Sequence, residues 1–488
     1  MLKQRHMFLT GITGSLGSWI AKVALAEGTH ITALVRADSL AEARERAYHA
    51  LSVVGAESYF EQLTILVGDI TQSERPEVGK VDLVLHCAAA MDFAESARPL
   101  LEKVNIDGTR QVLAWTEGWS VPLVHVSTAY VAGNRCDRAL ETDIDTGQGF
   151  HNPYEETKCE AEKLVQDWAK RTGLPLTVLR PSIVVGDTQS GQIINFDGLY
   201  TLMRFFDAIA SNLGDQRFRA TACAEATKNV VPVDWVAHSS WSIIKQGLAG
   251  TYHLTHPNPM TMQQLKDWFV DLFEVPGGQL ASPEDFENDP PSRLEQVFHR
   301  AAATYLPYLV EETIFDRTNT EEVLGQEAHI DPIDRDFVAR LLKTARQARW
   351  GKRLVKSMPR SAPPAAVADY FEEFLYNRRN RPLVPDMHRL DATCRIQLEE
   401  WPDHGWTLDI KKGAIKDIST NGASAACTFT LDHPTFSEII AGRLTPQKAF
   451  IKQRVNISGN METGLRLATA LAAFFKECPY HLAEEDAA

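Results

Sequence analysis

The sequence predicts an α/β chain: a doubly wound parallel sheet with a mostly helical subdomain, followed by a smaller α+β domain. Three observations predict it. Short β-rich runs alternate with helical patterns over about the first 130 residues. A glycine-spaced turn, "TGITGSLG", joins the first run to the first helix, and past Pro385 the pattern changes to closely spaced strands with tight turns. Such alternation builds βαβ units, whose strands lie parallel and whose ligands sit at the strands' carboxyl ends. At 488 residues the chain is too long for one ordinary core, so two or three domains are expected.

The runs are "HMFLTG", "HITALVR", "LTILVGD", "VDLVLHCAA" and "PLVHVSTAYV", with a sixth, "LTVLRPSIVVG", after the helix that starts near Tyr154. Between the first run and its helix, Thr10, Gly11, Thr13, Gly14, Ser15, Leu16 and Gly17 form a turn of spacing G-x-x-G-x-x-G. Gly11 permits the tight turn, Gly14 lets backbone approach a pyrophosphate, and Gly17 lets the helix pack on the sheet. The bound negative charge then faces the free N–H groups of the helix start, as in a Rossmann-type dinucleotide site. The second run ends at Arg36, where an NAD site usually carries an acidic residue. An arginine pairs instead with the 2′-phosphate of NADP, assisted by Arg44 and Arg46, so NADP(H) is expected over NAD(H). Asp69 and Ile70, ending the third run, are placed to edge the adenine; Ala88 and Ala89, ending the fourth, leave room for the cofactor.

The candidate chemistry lies in "NPYEETKCEAEKL", where Tyr154 and Lys158 share one helix face at i and i+4. A free phenol titrates near pH 10, and a nearby ammonium is expected to lower that value. A strand-end hydroxyl, Ser127 or Thr128 in "VHVSTAYVAG", is suited to donate to a substrate oxygen that gains negative charge.

Glycine turn, strand-end hydroxyl and Y-x-x-x-K, in this order, make about the first 270 residues resemble an extended short-chain dehydrogenase/reductase. "VNIDGT", with Asn105, and "NVVPVDWVA" are similar to recurrent segments of that family. The resemblance implies that Lys158 also holds the nicotinamide ribose, that Asn105 belongs to the cofactor site, and that Pro181 and Ser182 of "LRPSIVVG" lie beside the nicotinamide. It prefers Thr128, five residues before Gly133, as the catalytic hydroxyl, with Ser127 second. "VHVSTAYVAG" and "LVRADSLAEARERA" resemble fatty acyl-CoA reductases and the thioester-reducing domains of carboxylic acid reductases and of polyketide or peptide synthases. "YLPYLVEETIFDRTNTEEVLG", Tyr305 to Gly325, resembles the carboxy-terminal segment of fatty acyl-CoA reductases through its F-D-x-x-N-T element. The implied activity is NADPH-dependent reduction of an acyl-CoA or acyl-carrier-protein thioester to an aldehyde, with onward reduction to an alcohol left open.

From about 190 to 380 the runs lengthen and read as mostly helical; "KSMPRSAPPAAVADYF" reads as a linker into a short helix. Beyond it, "CRIQLEEWPDHGWTLDIKKGAIKDIS" and "ACTFTLDHPTF" read as antiparallel strands followed by two helices. "GWTLDIKKG" and "CTFTLDHPTFSEIIAGRLTPQKAFIKQRVNISGNM" resemble a sterol carrier protein type 2 domain. That resemblance implies a lipid-like ligand in an apolar tunnel, for which Phe436, Ile439, Ile440, Leu465, Leu471 and Phe475 are the candidate lining; a filled core is the alternative. The expected division is 1–270 for the nucleotide domain, 271–355 for the helical segment, 356–385 for the linker and 386–488 for the carrier-like domain.

A net charge of −14 argues against broad nucleic-acid binding, which needs a positive footprint. Seven scattered cysteines without a C-x-x-C pair, and histidines without H-x-x-x-H, suit a reducing compartment and give no metal site. The glycine turn comes too early to leave room for a signal peptide, and no apolar run reaches the roughly 20 residues that span a bilayer. A cytoplasmic protein is expected, with transient membrane contact and oligomeric state left open. Competing readings on the same scaffold are a hydroxysteroid dehydrogenase, a nucleotide-sugar epimerase or dehydratase, and a lipid carrier that senses redox state without turnover.

Overall fold

The computed structural model describes residues 5–482 apart from 214–215, 311–312, 352–364, 384–389, 400, 402–403, 421–424 and 453. The chain divides into two compact units, Met1–Lys352 and Arg353–Ala488. The proline-rich half of the expected linker, up to residue 364, lies outside the described residues.

In the first unit β1 (His6–Thr10), β2 (His30–Val35), β3 (Leu63–Val67), β4 (Leu83–His86) and β5 (Leu123–Val126) join the strands Leu176–Pro181 and Gly250–Leu254. From one edge the order is Gly250–Leu254, Leu176–Pro181, β5, β4, β1, β2, β3, with every neighbouring pair parallel. Met7 and Leu9 of β1 are buried in the core on one face, and Phe8 in the core on the other. Continuous apolar runs are what a parallel sheet covered on both faces requires. The order reverses between β1 and β4, the place where such sheets open a crevice for ligands.

Two sequence expectations change here. "LTVLRPSIVVG" is not one strand: Leu176–Pro181 stays in the main sheet, while Ile183–Val185 pairs with Val230–Pro232 in a separate ladder. On the β5 side Pro181 has no N–H to extend the ladder; the Ser182 N–H makes the last bond to the main sheet, at the Leu254 carbonyl (3.3 Å), and the Ile183 N–H goes instead to the Asn229 carbonyl at 3.1 Å. The region after 190, expected to be mostly helical, supplies the edge strand Gly250–Leu254 of the main sheet and several two-stranded ladders. Three of its longer helices, Leu199–Leu213, Met262–Leu272 and Arg335–Gln347, form a third core with Phe218, Phe269 and Phe298.

The second unit is a five-stranded sheet in the order Ala414–Ser419, Gly405–Lys411, Ala392–Leu398, Cys427–Leu431, Val455–Gly459. The expected all-antiparallel arrangement is corrected: Ala392–Leu398 and Cys427–Leu431 run parallel. The fifth strand, "VNISG", was not foreseen, and three helices follow the hairpins rather than two: His433–Ile440, Pro446–Ile451 and Met461–Glu477. Burial alternates along Ala392–Leu398, so one face of the sheet is packed. Phe436, Ile439, Ile440, Leu471 and Phe475 are buried in that core, whereas Leu465 is 40% exposed. Tyr370, Phe371 and Leu375 are buried in the same core, with Phe371 stacked on Trp406 at 4.3 Å.

Candidate active site

β1 hands the chain to α1 (Ser15–Ala26) through the glycine turn. Gly11 has φ +87°, and a Cβ there would meet the Ala88 backbone at 2.6 Å; one on Gly17 would lie 2.1 Å from the Gly11 carbonyl oxygen. α1 has no side-chain cap, so its first N–H groups are left to a ligand. A bare backbone cradle at the start of a 12-residue helix fits a dinucleotide's pyrophosphate. Thr10 holds the turn from behind: its hydroxyl bonds Nδ1 of the buried His86 at 2.8 Å and accepts from the Cys87 and Ala88 N–H groups at 3.3 Å. Ser15 Oγ accepts from the Asn195 N–H at 3.0 Å, tying the turn to a later loop.

A cavity of about 330 Å³ starts at this turn. Of the predicted residues it gathers Gly11, Gly14, Ser15, Leu16, Gly17, Ala89, Ser127, Thr128, Tyr154, Lys158, Pro181 and Ser182. Thr10, Thr13, Arg36, Arg46, Asp69, Ile70, Ala88 and Asn105 do not line it. Arg36 is exposed just past β2, and Arg46 donates to its carbonyl oxygen. Arg44 turns away, to Glu61 at 3.7 Å and over the Phe60 ring. Asp69 accepts from the Thr71 N–H at 2.9 Å, and Ile70 is buried against Gly108. Asn105 is a brace: its amide exchanges bonds with the Ala90 backbone at 2.8 and 3.1 Å and donates to Thr157 Oγ1 at 3.1 Å. Thr157 in turn donates to the Tyr154 carbonyl at 3.1 Å, so Asn105 steadies the turn that bears the phenol.

The helix Pro153–Thr172 starts on Asn152, whose side chain accepts from the Glu155 N–H. It aims Tyr154 and Lys158 into the cavity beside the end of β5. Lys158 Nζ donates to the Val126 carbonyl at 2.8 Å, and burial pulls its pKa down to about 8. Burial pushes the Tyr154 phenol up to about 12, with the Glu155 and Cys87 charges adding to the rise. The expected lowering of the phenol is therefore not seen; desolvation exceeds any help from the lysine. Thr128 Oγ1 donates to the Pro181 carbonyl at 3.4 Å and accepts from the Tyr130 N–H at 3.2 Å. Ser127 Oγ, buried on the same wall, has no hydrogen-bond partner among the described residues.

The other end of the cavity escaped sequence reasoning. Met91, Phe93, Leu199, Leu202, Leu265, Tyr305, Tyr308 and Leu309 wall it. Phe93 lies 6.0 Å from the Tyr154 ring and 5.2 Å from that of Tyr305. Glu155 is fully buried there, pushed up to about 7 by desolvation, and accepts from the Tyr308 hydroxyl. The one available signal was "YLPYLV", apolar and aromatic at helical spacing. The F-D-x-x-N-T element is not in the cavity. Ile314–Phe315 pairs with Arg138–Ala139, and buried Glu141 accepts from Thr320 Oγ1 at 2.7 Å and its N–H at 3.2 Å. Among the described residues no cluster of metal-ligating side chains forms, and no helix is long and apolar enough to cross a membrane.

The chain is similar to known proteins over most of its length. Residues 9–240 match the model of the male sterility protein family, and residues 371–472 that of the SCP-2 sterol transfer family. Glycine betaine reductase ATRR of Emericella nidulans is 26% identical over 55% of this chain and 22% of its own length. Fatty acyl-CoA reductase 1 of Xenopus laevis is 26% identical over 48% of this chain and 53% of its own. The terminal R domain of the myxalamid PKS-NRPS pathway superposes with a TM-score of 0.60 at 21% identity, covering 72% of this chain and 92% of that one, and so shares the fold. The chain spans only 22%, 15% and 18% of the first three curated relatives it matches. Residues 9–240 are thus similar to the male sterility protein family, on a Rossmann-like fold, and residues 371–472 to the SCP-2 sterol transfer family.

Proposed function

We propose that this protein reduces a fatty-acyl or polyketide-like acyl thioester, on CoA or a carrier protein, to the aldehyde with NADPH. One observation carries the reading: a single cavity runs from the glycine turn, past Ser127, Thr128, Tyr154 and Lys158, to a wall of aliphatic and aromatic side chains. The turn and Lys158 would hold the cofactor, with Arg36 at the 2′-phosphate. Bound there, NADPH supplies the hydride. Thr128, its hydroxyl swung from the Pro181 carbonyl, and Ser127 donate to the carbonyl oxygen as it becomes negative, in a desolvated pocket where such donors count most. Tyr154, kept protonated by burial, hands that oxygen its proton. The Lys158 ammonium stabilises the phenolate left behind, and collapse of the hemithioacetal frees the thiol. The second domain, through its match to the SCP-2 sterol transfer family, is read as the holder of the apolar substrate or product.

The test is to follow NADPH absorbance with acyl-CoAs and acyl-carrier-protein thioesters and identify the product. Aldehyde or alcohol formation, lost in Tyr154→Phe, supports the reading. No thioester-dependent oxidation by the intact chain refutes it. Replacement of Arg36 by Ala is expected to lower kcat/KM for NADPH and leave that for NADH level; an equal effect on both removes Arg36 from the cofactor site.

A further inference from the structure

Leu202, Leu265 and Leu309 line the catalytic cavity and, equally, a second cavity of about 50 Å³ beyond it. They come from three segments: Leu202 from helix Leu199–Leu213, Leu265 from Met262–Leu272 and Leu309 from Leu306–Val310. All three are 9% exposed or less, so they form a partition inside the unit.

Behind it, Phe206, Phe218, Met262, Phe269 and Phe298 wall the second space, Lys266 and Gln279 border it at the protein surface, and the area it presents is apolar. The rings pack mutually, Phe206 to Phe298 at 6.0 Å and Phe218 to Phe298 at 5.5 Å, so the chamber's walls are set by the core of the helical subdomain. A space without a polar partner holds no ordered water and suits hydrocarbon.

We propose that this phenylalanine-walled chamber is an acyl-chain subsite, entered between the three leucines, that takes the methyl end of a long unbranched substrate. The inference rests on the thioester-reductase reading and narrows its substrate class to extended aliphatic chains, against rings or short acids. The carbonyl lies at Ser127, Thr128 and Tyr154, the chain crosses the leucines, and its terminal methylenes leave water inside the chamber. Each methylene buried this way raises kcat/KM about fourfold until the chamber is full.

Two measurements on the full chain test it. First, kcat/KM is measured across a series of straight-chain acyl-CoAs from octanoyl to stearoyl, with wild type and with Ala222→Leu, which fills the chamber from its wall. The ratio of palmitoyl to octanoyl activity is expected to fall at least about tenfold, two methylenes' worth, in the variant. A ratio unchanged by the variant overturns the subsite. Second, a palmitoyl thioester bearing a diazirine near its methyl end is photolysed on the protein and mapped by mass spectrometry. Label on peptides bearing Phe206, Phe218, Met262 or Phe298 supports the subsite, even from a protein that turns nothing over, in which case only the reductase reading fails. Label confined to the cavity mouth or to residues 365–482 overturns it.

Discussion

Tyr154 and Lys158 stand one helical turn apart, and burial drives their titrations in opposite directions, the phenol up to about 12 and the ammonium down to about 8. The lysine is charged below about pH 8 and neutral above it. A step that relies on its charge therefore slows as pH rises through that value, so kcat/KM is expected to decline on the alkaline side of 8; a profile that stays level there contradicts the role given to Lys158. Tyr154→Phe keeps the ring against Phe93 and removes only the proton donor, for an expected loss of roughly 10²- to 10⁴-fold in kcat. Cofactor affinity, read by nicotinamide fluorescence, should be largely retained. Tyr154, Lys158, Ser127 and Thr128 were legible because residue type and local spacing alone bring them to the end of β5 and one helix face. Arg44 was not: only the fold brings Glu61 and Phe60 within its reach.

At the scale of elements, the turn into α1 depends on missing side chains. In Gly17→Ala the new methyl would sit 2.1 Å from a backbone carbonyl, so the helix start must move rather than a side chain. The expected cost is about 1–3 kcal/mol in denaturant unfolding, with a greater loss in NADPH binding, since the displaced N–H groups belong to the proposed anion site. Wild-type affinity in this variant would show that the cradle is not where the pyrophosphate sits. The strand Gly250–Leu254 shows why elements escape a sequence reading. Its His253 looks like a surface residue, yet it is buried against the Asp316 carbonyl at 2.7 Å and the Arg180 guanidinium at 3.1 Å. Arg180 is itself buried and paired with Glu162. Polar residues satisfied by distant partners break the apolar pattern that marks a strand. The Phe315–Thr320 element likewise carries a family-like signature but docks on Glu141, outside the cavity.

At the scale of the whole molecule, the two units have separate cores, and each is open to perturbation on its own terms. Phe371 is fully buried, stacked on Trp406 and packed against Phe436. Phe371→Ala should cost roughly 3–5 kcal/mol, read in calorimetry as a lowered transition of the second unit, with the first unit's transition held. A fall of both transitions together would show that the units unfold as one.

The sequence by itself determined the glycine turn, the meeting of Tyr154 and Lys158 with the strand-end hydroxyls, and the change from one sequence pattern to another along the chain. Those depend on glycine's backbone freedom, on the i, i+4 spacing of a helix and on strand periodicity, all properties of short stretches. Tertiary structure alone decided what shapes the substrate end: Phe93, Leu202, Leu265, Tyr305, Tyr308 and Leu309 meet across separations of up to about two hundred residues. It also decided how Tyr154 titrates, because the largest cause of its shift, desolvation, is set by what distant segments pack around it.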